Sequence, residues 1–198
     1  MPNLYIIAGP NGAGKTTAAY TLLPEVMQIN EFVNADEIAR GISPFNVDGV
    51  AFEAGRLMLQ RIDYLMEKGE DFAFETTLAT RSYVQLIKRA QRQGYVVSLY
   101  YFWLPSAVVS KERVAFRVAR GGHNIPADVI ERRYSRSILN LRNLYVSVCD
   151  YFTVIDNGTV TPQLVAVGKL QSEVEVYNEQ VWKRILAYGN DEAQTNPD

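Results

Sequence analysis

The sequence predicts an α/β fold, in which a central, mostly parallel sheet of five strands is flanked by helices and a C-terminal hairpin is an optional addition. Three observations carry this. Short β-branched and aromatic runs alternate along the chain with longer stretches of helical period, the pattern of strands joined by crossover helices. The first run, Leu4-Tyr5-Ile6-Ile7-Ala8, is continuously apolar rather than alternating, as expected of a parallel strand covered on both faces. Of 198 residues, 47% are hydrophobic and 21% charged, enough to bury a core without metal or disulfide staples. At that length one domain is expected over residues 1–189, with 190–198 a frayed polar tail.

After the first strand, a glycine-rich turn leads into a helix from Lys15 to about Leu23, which Pro24 stops. Phe32-Val33-Asn34 reads as the second strand. Val50, Ala54, Leu57, Met58, Ile62 and Leu65 keep one face of a helix over Val47–Met66, and Gly69 ends it. Phe72-Ala73-Phe74 is the third strand. Tyr83, Leu86, Ile87 and Ala90 mark the next helix, stopped by Gly94, and Tyr95–Trp103 is the longest strand. Two helices, Ser106–Ala119 and Ala127–Leu144, are joined by Gly121-Gly122-His123-Asn124-Ile125-Pro126. Tyr151–Ile155 is the fifth strand and ends in the turn Asp156-Asn157-Gly158. Leu164–Tyr177 fits the hairpin, and Asn178–Tyr188 a closing helix. Sheets of this kind bind ligands at the carboxyl ends of their strands, so functional motifs are expected to gather there.

Charge and composition exclude several classes. Twenty Lys and Arg against 22 Asp and Glu give a net charge of −2, without the basic excess that nucleic-acid phosphates demand. The single cysteine, Cys149, precludes an internal disulfide and fits a reducing compartment. The longest apolar stretch, around Tyr95–Leu104, is too short to span a bilayer. Met1-Pro2-Asn3-Leu4 lacks the basic segment of a signal peptide. A cytoplasmic protein with no membrane or nucleic-acid partner is the expectation.

Gly9-Pro10-Asn11-Gly12-Ala13-Gly14-Lys15-Thr16 matches G-x-x-x-x-G-K-[ST] between a buried strand and a helix. Glycines let successive backbone N–H groups turn inward around a phosphate, and the helix start adds its positive end. Lys15 can then reach the β- and γ-phosphates of a nucleoside triphosphate, and the Thr16 hydroxyl can ligate Mg²⁺. The fold expected is therefore that of a P-loop NTPase or kinase.

Carboxylates follow at neighbouring strand ends. Asp36, just past the second strand, suits a base that takes the proton of an attacking hydroxyl, but equally suits a helix N-cap ahead of Glu37-Ile38-Ala39-Arg40. Glu75 closes the third strand, where an acidic residue helps hold Mg²⁺ through water; a capping turn with Thr76 and Thr77 is the alternative. Arg113, Arg117 and Arg120 share a helix face at steps of four and three, and Arg132, Arg133 and Arg136 cluster on the next helix. A solvated face would explain such spacing. A lid over about 106–144, with the Gly-Gly pair as its hinge, would explain why the stripe is almost purely arginine, whose planar fork bridges phosphate oxygens. His123, the only histidine, lacks the cluster a metal site needs and is expected to hydrogen-bond within its own loop.

The phosphate loop from Gly9 to Thr17, Asn34-Ala35-Asp36, Phe74-Glu75-Thr76-Thr77, the arginine helix and Val154-Ile155-Asp156-Asn157, taken together, resemble the zeta toxin family of P-loop kinases from Leu4 to about Gly158. That resemblance implies an ATP- and Mg²⁺-dependent kinase acting on the 3′-hydroxyl of UDP-N-acetylglucosamine. It implies nucleotide binding by Gly9, Asn11, Gly12, Ala13, Gly14, Lys15, Thr16, Thr17, Arg113 and Arg117. Asp36 would be the base, and Thr16 and Glu75 would hold metal. Glu75 and Thr77 would lie by substrate, and Arg120 with Arg113 or Arg117 would steady the transferred phosphoryl group. An antitoxin partner is a further implication. The competing reading is an ATPase or nucleotide-dependent switch acting on a protein; no Asn-Lys-x-Asp guanine-reading motif is present to make it a GTPase. A nucleic-acid end kinase is disfavoured by the net charge.

Overall fold

A computed structural model of the chain describes residues 1–189; the predicted polar tail at 190–198 lies outside the described residues. Seven strands form one mixed sheet. They are β1 (Asn3–Ala8), β2 (Glu31–Val33), β3 (Phe72–Thr76), β4 (Val96–Trp103), β5 (Tyr151–Asp156), β6 (Gln163–Lys169) and β7 (Glu175–Val176), in the order β2-β3-β1-β4-β5-β6-β7. The five predicted strands are the parallel ones. The hairpin joins their edge through antiparallel pairing of β6 to β5 and β7 to β6, which raises the sheet to seven.

Strand β1 is central, with Ile6 registered between Phe74 of β3 and Leu99 of β4. Leu4, Ile6, Ile7 and Ala8 are fully buried, which explains the missing alternation. Burial of each large aliphatic side chain is worth roughly 1.5–3 kcal/mol. The chain leaves β1 for the far side of β3 and later crosses back to β4, so its direction of winding reverses beside β1. That is the switch point where α/β sheets open a crevice.

The helices are α1 (Lys15–Thr21), α2 (Ala35–Ile42), α3 (Ala51–Lys68), α4 (Tyr83–Arg92), α5 (Ala107–Val118), α6 (Ala127–Asn143) and α7 (Glu179–Ala187). Ala54, Met58, Ile62 and Leu65 of α3 and Ile130, Tyr134, Ile138 and Leu141 of α6 are buried at helical spacing. Pro24 ends the regular ladder of α1 but not the helical path. A wider π turn over Leu22–Val26 accommodates the missing N–H, with Met27 N–H bonded to Leu22 O at 3.0 Å. Among the described residues, no helix is long and apolar enough to cross a membrane.

A second, small apolar cluster of Val114, Ile125 and Ile130 lies between α5 and α6, apart from the main core.

Candidate active site

The loop between β1 and α1 is shaped by glycine. Gly9 takes φ +144° and a side chain there would strike the Phe102 carbonyl; Gly14 takes φ +78° at the start of α1. Two neighbours brace the loop. Ser110 Oγ of α5 donates to the Asn11 carbonyl, and Asn157 Nδ2, just after β5, donates to the Ala13 carbonyl at 2.7 Å. Asp156-Asn157-Gly158 is thus a turn, as its residue types predict, and also a prop for the loop. Asn11 is 5% exposed, and its buried Oδ1 has no hydrogen-bond partner among the described residues.

Lys15 is buried. Its Nζ donates to Pro10 O at 3.1 Å and lies 3.5 Å from Glu75 Oε1, the two side chains being 7% and 10% exposed. The other carboxylate oxygen, Oε2, accepts from Thr16 Oγ1 at 2.7 Å and from Asn34 Nδ2 at 2.9 Å. One carboxylate therefore links the phosphate-loop lysine, the predicted metal-ligating hydroxyl and the end of β2. Thr76 Oγ1 accepts from Leu78 N, so Glu75 is not itself the cap of that turn.

Asn34 caps α2. Its Oδ1 accepts from Asp36 N at 2.8 Å and Glu37 N at 3.4 Å. The cap is Asn34, not Asp36. Among the described residues, the Asp36 carboxylate has no hydrogen bond or ion pair, and it faces a cleft of about 610 Å³. Asn11, Gly12, Gly14, Lys15, Thr16, Thr17, Glu75 and Thr77 line the same cleft. So do Arg113 and Arg117 from α5 and Arg132, Arg133 and Arg136 from α6. Gly9 and Ala13 shape the loop from behind and do not line it.

Arg120 is not brought in. Helix α5 ends at Val118, so the i+3 step from Arg117 leaves the helical face, and the Arg120 guanidinium stacks on the Phe116 ring at 4.1 Å instead. The Gly-Gly pair closes α5 as a Schellman cap. Gly121 N–H bonds Val118 O at 2.9 Å and Gly122 N–H bonds Arg117 O at 3.0 Å, with Gly121 at φ +85°. The His123 imidazole does not bond within its own loop: its Nε2 lies 3.1 Å from Asp48 Oδ1, ahead of α3.

Several contributors escape a reading of the sequence. Arg132, Arg133 and Arg136 are visible there as a cluster, but the crossing of α6 over the strand ends is not. Asn34 carries the signal of a cap, Asn ahead of an acidic first turn. The loop after β3 is held by pairs far apart in sequence. Leu78 sits buried at φ +60°, its carbonyl accepts from Asn140 Nδ2 at 2.8 Å, and Thr80 O accepts from Tyr145 OH at 2.6 Å.

These residues fit a nucleoside triphosphate with its metal. The glycine-shaped loop and the buried lysine meet the needs of phosphates. Among the described residues, no three His, Cys, Asp or Glu could hold a metal alone. Mg²⁺ characteristically relies on one or two protein oxygens plus phosphate oxygens, which Thr16 and Glu75 would complement.

The family described as zeta toxin matches residues 1–181. The chain belongs to the zeta toxin family. Within related sequences, an uncharacterized protein of Haemophilus influenzae is 31% identical over 126 residues, 64% of this chain and 88% of that one. Among solved structures, this chain is similar to the AvrRxo1-ORF1:ORF2 complex solved with ATP, with TM-score 0.76, 18% identity, and coverage of 100% of this chain and 66% of that chain. The PezAT toxin–antitoxin system of Streptococcus pneumoniae gives TM-score 0.65 and 16% identity over 98% of this chain and 86% of that one. The chain spans 64–66% of the AvrRxo1 chains it matches. At these identities the likeness is one of fold. Zeta toxin family membership accords with the complete phosphate loop at the carboxyl end of β1.

Proposed function

We propose that this protein is an ATP- and Mg²⁺-dependent phosphotransferase that phosphorylates a hydroxyl of a small molecule, the 3′-hydroxyl of UDP-N-acetylglucosamine being the acceptor that the family suggests. One observation carries the reading: a single cleft holds the phosphate-loop lysine, an unpaired carboxylate in the first turn of α2 just past β2, and five arginines from two helices. Residues 1–189 are read as one kinase unit whose lid spans about 106–144.

Asp36 accepts the proton of the acceptor hydroxyl as its oxygen attacks the γ-phosphorus. The bond from that phosphorus to the bridging oxygen breaks, ADP departs, and the proton leaves Asp36 for solvent. Lys15 and the arginines oppose the charge on the transferring group, with Arg113 packed beside Gly12 of the loop. Mg²⁺, held through Thr16 and Glu75, would supply further charge neutralisation. Six cationic side chains line the cleft against two carboxylates, an excess of four. Mg-ATP brings about two negative charges, so the surplus favours an acceptor that is itself anionic, such as a nucleoside diphosphate sugar. An antitoxin partner and a cytoplasmic location complete the reading by analogy with the family.

The test is ATP consumption with Mg²⁺, without acceptor and then with UDP-N-acetylglucosamine, products being weighed by mass spectrometry. A product heavier by one phosphate, lost in Lys15→Ala and Asp36→Asn, is expected. Transfer that survives Asp36→Asn removes the base assignment. ATP binding without transfer removes the sugar nucleotide and calls for other hydroxyl acceptors.

A further inference from the structure

The turn that follows α5 is built around one arginine. The Schellman cap brings Gly122 against the Arg117 side chain so closely that a Cβ there would lie 2.6 Å from Arg117 Cγ and 2.9 Å from its carbonyl. The Arg117 guanidinium then donates from Nη2 to the carbonyl of His123 at 3.0 Å. The imidazole of the same residue reaches away from α5 to Asp48, just ahead of α3. One residue thus holds the arginine with its backbone and anchors the turn with its side chain. His123 is largely buried although Asp48 is exposed, and both line a second pocket of about 220 Å³ that shares Asp36 and Arg133 with the main cleft.

Resting on the phosphotransferase reading, we infer that His123 is a positioning residue for Arg117, and that the His123–Asp48 pair ties the arginine-bearing turn to the segment ahead of α3, beside Asp36, so that Arg117 keeps a fixed direction along the cleft. The backbone carbonyl of a turn with no anchor would wander with the turn, and the guanidinium would lose its fixed direction. Small misplacements of a charge-stabilising group cost more in rate than in fold stability. The turn divides the work among three residues. Gly121 ends the helix, Gly122 leaves room for the arginine stem, and His123 fixes the head.

The experiment is a double-mutant cycle on the full chain, read in steady-state transfer and in Mg-ATP affinity by calorimetry. His123→Ala is expected to lower kcat/KM about tenfold, in the range seen when groups that orient other groups are removed. Its melting temperature should stay within about 2 °C of the parent, as for a substitution outside the core. His123→Gln, which can still donate to Asp48, should recover to within about twofold, and Asp48→Asn should fall between the two. In an Arg117→Ala background, His123→Ala should cost less than about twofold more, because a residue acting through another has nothing left to position. Full multiplication of the two losses, failure of His123→Gln to rescue, or unchanged kinetics in His123→Ala would each overturn the inference. If the parent protein transfers phosphate to no acceptor, the phosphotransferase reading fails and the cycle is decided by Mg-ATP affinity. Non-additive losses there would uphold the positioning role, and additive or absent losses would refute it.

Discussion

Neutralising Glu75 as Glu75→Gln should have opposite effects on stability and on nucleotide binding. Lys15 and Glu75 lie 3.5 Å apart, with side chains 7% and 10% exposed. At an effective dielectric near 20 their gross attraction is about 5 kcal/mol. Part of this is offset because neutral glutamine removes the cost of desolvating the carboxylate. The amide also keeps one oxygen for either Thr16 or Asn34, while its NH₂ faces the remaining donors. A net loss of about 2–4 kcal/mol in the ligand-free protein is expected from these terms. It would be seen as a lower urea midpoint at unchanged slope. Lys15 then lacks a counter-charge that ATP phosphates would restore. Metal-free ATP should therefore bind the variant more tightly than the parent, while added Mg²⁺ should strengthen binding less. Calorimetry with and without Mg²⁺ reads both. Equal urea midpoints, or metal-free ATP binding that weakens in the variant, would show that Glu75 is not the resting partner of Lys15.

Other consequences follow from single contacts. Asn34→Ala removes the α2 cap and a donor to Glu75, so a loss of about 1–2 kcal/mol in urea unfolding is expected. An acceptor KM raised more than the ATP KM should accompany it, because Asp36 sits in the first turn; equal changes in both would contradict its placement at the acceptor. Asn140→Ala leaves the buried Leu78 carbonyl without its donor, a cost of about 1–3 kcal/mol, and an unchanged midpoint would show that water replaces the amide. Burial pushes the Cys149 thiol up to about 12 and raises the Tyr101, Tyr134 and Tyr145 hydroxyls above their ordinary range. The unfolded chain releases these protons near pH 8.5–10, whereas the folded one retains them. Their stabilisation is whole below about pH 8.5 and is lost as pH climbs toward 12. Thermal melts that rise between pH 9 and 11 would reverse that sign.

The parts of the fold legible in the sequence are those set by local pattern. The unbroken apolar run of β1 and the helical spacing of Ala54, Met58, Ile62 and Leu65 each report burial directly. The hairpin can be seen at Leu164–Tyr177, but its pairing to β5 is a long-range contact that no local residue signals. The phosphate loop is legible because its chemistry lies within eight consecutive residues. The arginine-bearing segment is legible only in part. Spacing assigns Arg120 to the face of Arg113 and Arg117 on the assumption that the helix continues, yet the Gly121-Gly122 cap ends it at Val118 and turns Arg120 toward Phe116. The arginines of α6 reach the cleft through the packing of Ile130, Tyr134, Ile138 and Leu141, which fixes the face of the helix but gives no direction across the sheet.

The same helix explains how the two halves of the cleft stay in register. From one side α6 presents Arg132, Arg133 and Arg136 to the cleft. From the other, Tyr134 OH bonds the Leu104 carbonyl at the end of β4, Ser137 Oγ meets the buried Tyr101 OH, and Asn140 holds the loop after β3. These are the strands on either side of β1, whose loop would carry the nucleotide. A lid that moved as one body would have to break all three buried contacts and strip Ile138 and Leu141 from the core, at a cost beyond what binding a substrate could readily offset. The segment from the end of α5 to the start of α6 has weaker ties, a cluster of three apolar side chains and the His123–Asp48 pair. The lid proposed over about 106–144 is therefore expected to move only at that tip, while the rest of α6 acts as part of the scaffold that holds its arginines at the strand ends.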